Sequence, residues 1–255
     1  MMESKRTAEE QFGPAAAAYA AFSYHAAGPD LAPMLEAARL SGNERVLDIG
    51  CGPGHTALLF ATRAREVVAA DPTEAMLDQG RRLAVERGLS NVHFEKSHAE
   101  SLPFTDAAFD CVTSRQSAHH YGDVRAALRE VARVLTPEGQ LVLIDTFSPE
   151  DDEQDAFLNR IEALRDPTHV RDYRVSEWRS MFDEVGFDLE DLGAWDIPLE
   201  FGNWVERSRT PEAEVAELRR CFAQASKRVL ERFAAHGDCH WSVPIGLVVG
   251  HRRSR

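Results

Sequence analysis

The sequence predicts an α/β fold, a doubly wound and mostly parallel sheet with helices on both faces. Three observations point to it. Short apolar runs alternate with helix-patterned segments along the chain, the signature of repeated strand–helix–strand units. The run Val46-Leu47-Asp48-Ile49 opens into Gly50-Cys51-Gly52-Pro53-Gly54, the grammar of a buried strand turning sharply into a helix. A second apolar run, Val67-Val68-Ala69-Ala70, ends in Asp71, about twenty residues past the first glycine, the spacing of a βαβ unit.

The elements follow in order. Residues 12–39, Ala-rich and carrying Tyr19, Phe22, Tyr24 and His25, precede the alternation and read as an N-terminal lid. Strand-like runs recur at 45–49, 66–70, 92–96, 109–113, 140–147, 188–192 and 244–251, seven in all. Helix-like segments fill the gaps at 56–65, 73–87, 124–135 and 176–185, and their alternation with strands makes a sheet covered on both faces. Residues 148–173, opened by Glu150-Asp151-Asp152-Glu153, and residues 199–237 fall outside this core and read as cap insertions. One helix is expected from about 211 to 233, with Val215, Leu218, Phe222, Val229 and Phe233 near one face. That face serves either packing on its own domain or a dimer seam. The whole chain, 1–255, reads as a single domain with a ligand-binding core at 40–147.

Composition excludes several classes of function. With 44% hydrophobic and 28% charged residues the chain is an ordinary soluble globular protein. A formal net charge of −13 disfavours nucleic acid and anionic membranes as partners. The one basic run, His251-Arg252-Arg253-Ser254-Arg255, reads as a solvated end. Cys51, Cys111, Cys221 and Cys239 lack C-x-x-C spacing, so neither a disulfide framework nor a zinc site is expected. No apolar leader follows Met1 and no run reaches membrane-spanning length. The expectation is a cytoplasmic protein, monomer or homodimer.

The glycine turn is built to cradle something small. Gly50, Gly52 and Gly54 leave no Cβ between backbone and ligand. Asp71, at the second strand's tip, is placed to accept hydrogen bonds from a ribose diol. A dinucleotide site shares that acid, but here the third glycine arrives one residue earlier than in G-x-G-x-x-G. Asp48 suits an ammonium group better than a pyrophosphate. S-adenosylmethionine, with a ribose at one end and a cationic amino-acid head at the other, fits both acids.

These residues carry a resemblance. The stretch from Asp48 to Gly54 resembles the first motif of the class I S-adenosylmethionine-dependent methyltransferases, and Asp71-Pro72-Thr73-Glu74-Ala75-Met76 resembles their ribose-binding strand end. The blocks Ala99-Glu100-Ser101-Leu102-Pro103-Phe104, Phe109-Asp110-Cys111-Val112 and Leu135-Thr136-Pro137-Glu138-Gly139-Gln140-Leu141 are similar in the same order. Together they span residues 45–147 and most resemble the branch containing the ubiquinone and menaquinone C-methyltransferases. The segment from Arg165 to Arg171 resembles a narrower bacterial subgroup.

The resemblance implies a Rossmann-like seven-stranded sheet with an antiparallel last strand and S-adenosyl-L-methionine as cofactor. It places Asp48, Gly50, Cys51, Gly52 and Gly54 at the amino-acid end, and Asp71, Pro72 and Met76 near the ribose. His98, Ala99 and Glu100 fall at the adenine, and Arg115 at the methionine portion through its backbone. Tyr19, in the N-terminal lid, is expected to line the pocket at the methyl group. His98 departs from the pattern, since many relatives carry an acid there.

Methyl transfer is an in-line displacement that needs a base only when the acceptor must lose a proton. His119 and His120, after the fourth strand, are the candidate catalytic residues. In an extended segment only one of them would face the pocket; the alternative is a loop pair capping the next helix. His25 and His169 are candidates for touching the acceptor. Ser114-Arg115-Gln116-Ser117 is not the Asp/Asn-Pro-Pro-aromatic motif, which argues against DNA adenine and glutamine amides as substrates. No acid-rich pattern supplies an octahedral Mg²⁺ site, so no metal is expected. The acceptor is therefore expected to be a small organic molecule. The rivals are a nicotinamide-dependent oxidoreductase, although Tyr-x-x-x-Lys is absent, and a non-catalytic module that binds the same cofactor.

Overall fold

The computed structural model describes residues 7–21, 26–237 and 240–253. Its strands are β1 (Arg45–Ile49), β2 (Glu66–Asp71), β3 (Val92–Lys96), β4 (Phe109–Arg115), β5 (Leu135–Ser148), β6 (Tyr173–Arg174), β7 (Phe187–Leu199) and β8 (Trp241–Arg252). The sheet runs β3-β2-β1-β4-β5-β8-β7, with β6 paired to β5 off this path. β1 to β5 pair in parallel, and β8 is antiparallel to both β5 and β7. The expected Rossmann-like sheet with its antiparallel last strand is therefore present.

Alternation within each strand explains why both faces are covered. Val46, Val67, Ala69, Cys111, Val142 and Ile144 pack into one apolar cluster. Their neighbours Leu47, Val68, Val112, Leu141 and Leu143 belong to the other. A strand buried on both faces reads as a continuous apolar run, as these do. The helices His55–Phe60, Glu74–Glu86, Val124–Val134 and Val175–Glu184 follow the expected order with ends shifted by a few residues.

Four expectations change. β7 continues past residue 192 to Leu199, because a register shift between Asp191 and Ala194 absorbs the break and restores pairing with β8. β6, only two residues long, was not anticipated. The helix expected over 211–233 is two helices, Glu212–Gln224 and Lys227–Arg232, because Ala225 is extended and Ser226 caps the second by accepting from the Val229 N–H at 3.3 Å. Leu218, Phe222, Val229 and Phe233 are buried within the chain, which uses that face for its own core.

The lid segment also divides. The helices Ala8–Phe12 and Ala16–Ala21 lie over the cavity, the first opened by a capping box between Thr7 and Glu10. The helix Leu31–Ala37 instead joins the core, with Met34 fully buried. His25, with Phe22 and Tyr24, lies outside the described residues. Among the described residues no helix is long and apolar enough to cross a membrane.

Candidate active site

Beyond the carboxyl ends of β1, β2 and β4, where open α/β sheets bind ligands, the chain encloses a cavity of about 580 Å³. Its floor is the glycine turn. Gly50, Gly52 and Gly54 have φ of 62°, 52° and 81°, the left-handed region that favours glycine. A Cβ on Gly50 would lie 2.6 Å from Ser117 Oγ, so the turn is locked against the loop after β4. A Cβ on Gly52 would meet nothing within 4 Å among the described residues, and Gly52 bares its backbone on the cavity wall. Gly54 corrects the expectation of ligand contact. It is off the wall, begins the His55–Phe60 helix and packs on Phe94, 3.0 Å from where its Cβ would be.

The two acids of the motif are buried and tied into the fold. Asp71 Oδ2 accepts from the Gly52 N–H at 2.9 Å and Oδ1 from the Thr73 N–H at 2.8 Å. Asp48 accepts from Thr113 Oγ1 at 2.7 Å and from the Ala57 N–H at 3.1 Å. Burial lifts the Asp48 carboxyl to about 7 and raises Asp71, in both cases against those hydrogen bonds. Each oxygen keeps a further lone pair for a ligand donor. The acids thus set the shape of the turn while lining the cavity.

Cys51, Pro72, Met76, His98, Ala99 and Glu100 continue the same wall. Glu100 accepts from the Gly122 N–H at 2.8 Å, joining the strand-end loops. Arg115 ends β4 and lies on the wall, and its side chain has a structural task. Its Nε and Nη2 donate to the two oxygens of Asp30 at 2.6 and 2.9 Å, both residues buried. This forked pair fastens the start of the Leu31–Ala37 helix to the strand that enters the site.

The other half of the cavity is built around two histidines. His119 and His120 lie in a 3-10 turn, Ala118–His120, and both line the cavity with ring centroids 4.1 Å apart. The expectation that only one would face inward fails because the segment is turned rather than extended. Nor do they cap the next helix, since Asp123 does so by accepting from the Ala126 N–H at 2.9 Å. Asp145, within β5, receives the His119 backbone N–H at 3.1 Å and bonds its ring Nδ1. Burial alone would lower the His119 imidazole, but Asp145, with Asp172 and Glu162, carries it up to about 9. Burial and the neighbouring His119 push His120 down to about 3.

Phe12 and Tyr19 descend from the roof, where Phe12 meets His120 edge-on at 5.1 Å. His55 bonds the Ala20 carbonyl at 3.0 Å and holds the roof to the first helix of the core. His169 corrects the sequence reading: it is buried behind the wall, facing Asn159 Oδ1 at 3.3 Å, and does not line the cavity.

Several wall residues escaped the sequence reading. Ile197, Leu199, Val243 and Ile245 supply an apolar side, and Glu162, Arg165, Asp166, Asp172, Trp204 and Arg207 a polar one. The alternation Trp195, Ile197, Leu199 against Trp241, Val243, Ile245 is a strand signal that identifies the first group. The second group is brought in by the helices Asp152–Arg165 and Phe201–Arg207 and the loop before β6, which no local pattern reveals.

Comparison with known proteins agrees with this geometry. The family model described as a methyltransferase domain matches residues 47–143. The uncharacterized methyltransferase YcgJ of Bacillus subtilis (strain 168) is 40% identical over 89% of this chain and 90% of its own. Its crystal structure superposes with a TM-score of 0.85 at 37% identity, covering 88% of this chain and 97% of that one. The structure of BH2331 from Bacillus halodurans C-125 gives 0.83 at 34% identity, over 89% of this chain and all of the other. The demethylmenaquinone methyltransferase of Thermus thermophilus is 44% identical over 42% of this chain and 48% of its own. Neither rival, the nicotinamide oxidoreductase or the non-catalytic module, finds support among these relatives. The chain belongs to the class I S-adenosylmethionine-dependent methyltransferases.

Proposed function

We propose that this enzyme methylates a small organic acceptor held between the roof helices and the His119–His120 turn, with S-adenosylmethionine lying along the glycine turn. The observation that carries the reading is the single cavity joining Gly52, Asp71 and Ala99 to His119 and His120. At about 580 Å³ it lies within the ~300–1,000 Å³ of small-molecule sites. A nucleoside-sized cofactor takes much of that, so the acceptor is small.

The residues fit the cofactor. Gly52 offers bare backbone with open space above it, Asp71 a carboxylate for the ribose, and Asp48 one for the ammonium. Pro72, Met76, His98 and Ala99 flank the base, with Glu100 behind them. The sulfonium supplies a methyl group whose leaving group needs no proton. The chain's contribution is then to align acceptor and methyl, an effect worth roughly 7–11 kcal/mol where alignment is complete. Phe12 and Tyr19 exclude water from above, and His119 and His120 orient the acceptor, with Asp145 fixing the first ring. The apolar side formed by Ile197, Leu199, Val243 and Ile245 matches an acceptor with a hydrocarbon body. The three described cysteines are free, in keeping with a reduced cytoplasmic setting.

The test has two arms. Purified protein should gain thermal stability with S-adenosylhomocysteine, by mass action on the folded state, and release methyl groups to at least one compound in a panel of small metabolites. Equal stabilisation by NAD, or no turnover across the panel despite tight binding, counts against the reading.

A further inference from the structure

In the acceptor half of the cavity, one imidazole and two carboxylates meet from distant parts of the chain. His119 comes from the turn after β4, Asp145 from within β5, and Asp172 from the loop entering β6. One donor atom from each lies within 4.8 Å of the others. Both carboxylates are about 1% exposed. The acids nearby already have partners: Glu162 pairs with Arg165 at 2.7 Å, and Asp166 Oδ1 accepts from Thr168 Oγ1 at 2.6 Å. Asp172 differs, because its buried Oδ2 has no hydrogen-bond partner among the described residues, although the residue lines the cavity. A buried carboxylate oxygen left unmatched is costly, and native structures satisfy such atoms with protein, water or an ion.

The bonding of His119 completes the pattern. Its Nδ1 is engaged by Asp145, which leaves Nε2 as the ring's remaining donor atom. A carboxylate holding one imidazole nitrogen while the other meets a cation is the usual support of a metal-bound histidine. We propose that His119 and Asp172 ligate one divalent cation in the acceptor half of the cavity, with Asp145 orienting the imidazole.

The donors are nitrogen and oxygen with no thiolate in the set, a combination suited to Mn²⁺, Fe²⁺ or Zn²⁺. Two protein ligands leave most of an octahedral ion's positions to water and to the acceptor. The acceptor class is then one with an oxygen able to coordinate, such as an enolate, phenolate or carboxylate. This refinement of the acceptor rests on the methyl-transfer reading, whereas the cation site stands without it.

Mn²⁺ added alone to EDTA-treated full-length protein tests the site, because the paramagnetic signal of the free ion disappears on binding. The expected result is one Mn²⁺ per chain, displaced by excess Zn²⁺. Asp172→Asn and His119→Ala should lose at least 100-fold in affinity, and Asp145→Asn about 10–100-fold, as for outer-shell partners. Stabilisation by S-adenosylhomocysteine, measured on each variant, reports that it is folded. Should wild-type protein leave millimolar Mn²⁺ free, or a folded Asp172→Asn bind as wild type does, the proposal is overturned. Mn²⁺ bound in this pattern without any response to S-adenosylhomocysteine would support the cation site and count against the methyl-transfer reading instead.

Discussion

Gly50 and Gly52 share a left-handed backbone, yet an added methyl group meets different surroundings at each. At Gly50 it strikes Ser117 at 2.6 Å, where Ser114, Ser117 and Tyr121 form a triangle of 3.0 Å hydrogen bonds. Gly50→Ala should therefore destabilise the protein by about 2–4 kcal/mol, summing backbone strain and overpacking. At Gly52 the methyl enters open space on the cavity wall, where we place the cofactor. Gly52→Ala should cost only about 1–2 kcal/mol of stability while weakening S-adenosylhomocysteine binding at least tenfold. Denaturant unfolding and calorimetric titration of both variants check the contrast; equal losses of affinity per unit of lost stability would refute it. The difference marks what is legible at this scale. Spacing singles out the glycines and the acids Asp48 and Asp71, and the fold gathers Asp48, Gly50, Gly52 and Asp71 on one cavity wall. Spacing does not identify Thr113, which hydrogen-bonds Asp48 from another strand, or Phe94, which makes Gly54 a packing glycine.

Among elements, the Asp30–Arg115 pair shows how the site depends on the Leu31–Ala37 helix, which supplies no residue to the cavity wall. The pair is buried, with side-chain exposures of 0% and 4%, and joins the chain before the Leu31–Ala37 helix to the end of β4. Removing one partner of a buried pair typically costs about 3–5 kcal/mol, because the other charge remains in the interior. Asp30→Ala should lose about that much stability, and Asp30→Ala with Arg115→Met should recover part of it, in a double-mutant cycle by denaturant unfolding. Simple additivity of the two single variants would mean the pair carries no coupling. The elements most readily found in sequence were those with a single local period: β1 to β4 and the helices between them. The alternation of β7 is broken by Leu192 and Gly193 just where the register shifts, so sequence shows only its first part. Helical spacing continues across Ala225 and Ser226, a break that only backbone geometry and a serine cap reveal. For His119 and His120 one tight turn, invisible in the local pattern, brings both rings to the same side.

For the whole molecule the open question is how far the roof and the core are separable. Neither apolar cluster includes a described residue before Met34, so the segment before Ala21, although it buries Ala15 and Ala16, packs outside both. Its described ties to the core include Gln11 Nε2, which donates to the Ser208 carbonyl at 3.0 Å, and Lys96, which pairs with Glu9 at 3.0 Å near the surface. His55 bonds Ala20 at 3.0 Å. Over the cavity, however, this segment supplies Thr7, Ala8, Phe12 and Tyr19. A displacement reaction benefits when water is excluded and the acceptor's approach is fixed, and a misplacement of about 1 Å can cost about 10²-fold in rate. Deleting residues 1–21 should therefore leave a cooperatively folded protein while lowering turnover at least 100-fold and weakening cofactor binding. A cut through Arg39 is unsuitable for this purpose, because it removes Met34 and Asp30 and so attacks core and site together. Circular dichroism and thermal unfolding establish that the shortened protein is folded, and methyl release measures the loss. Turnover near the full-length rate would show that the roof is not a lid, and would assign the acceptor pocket to β7, β8 and the Asp152–Arg165 helix alone.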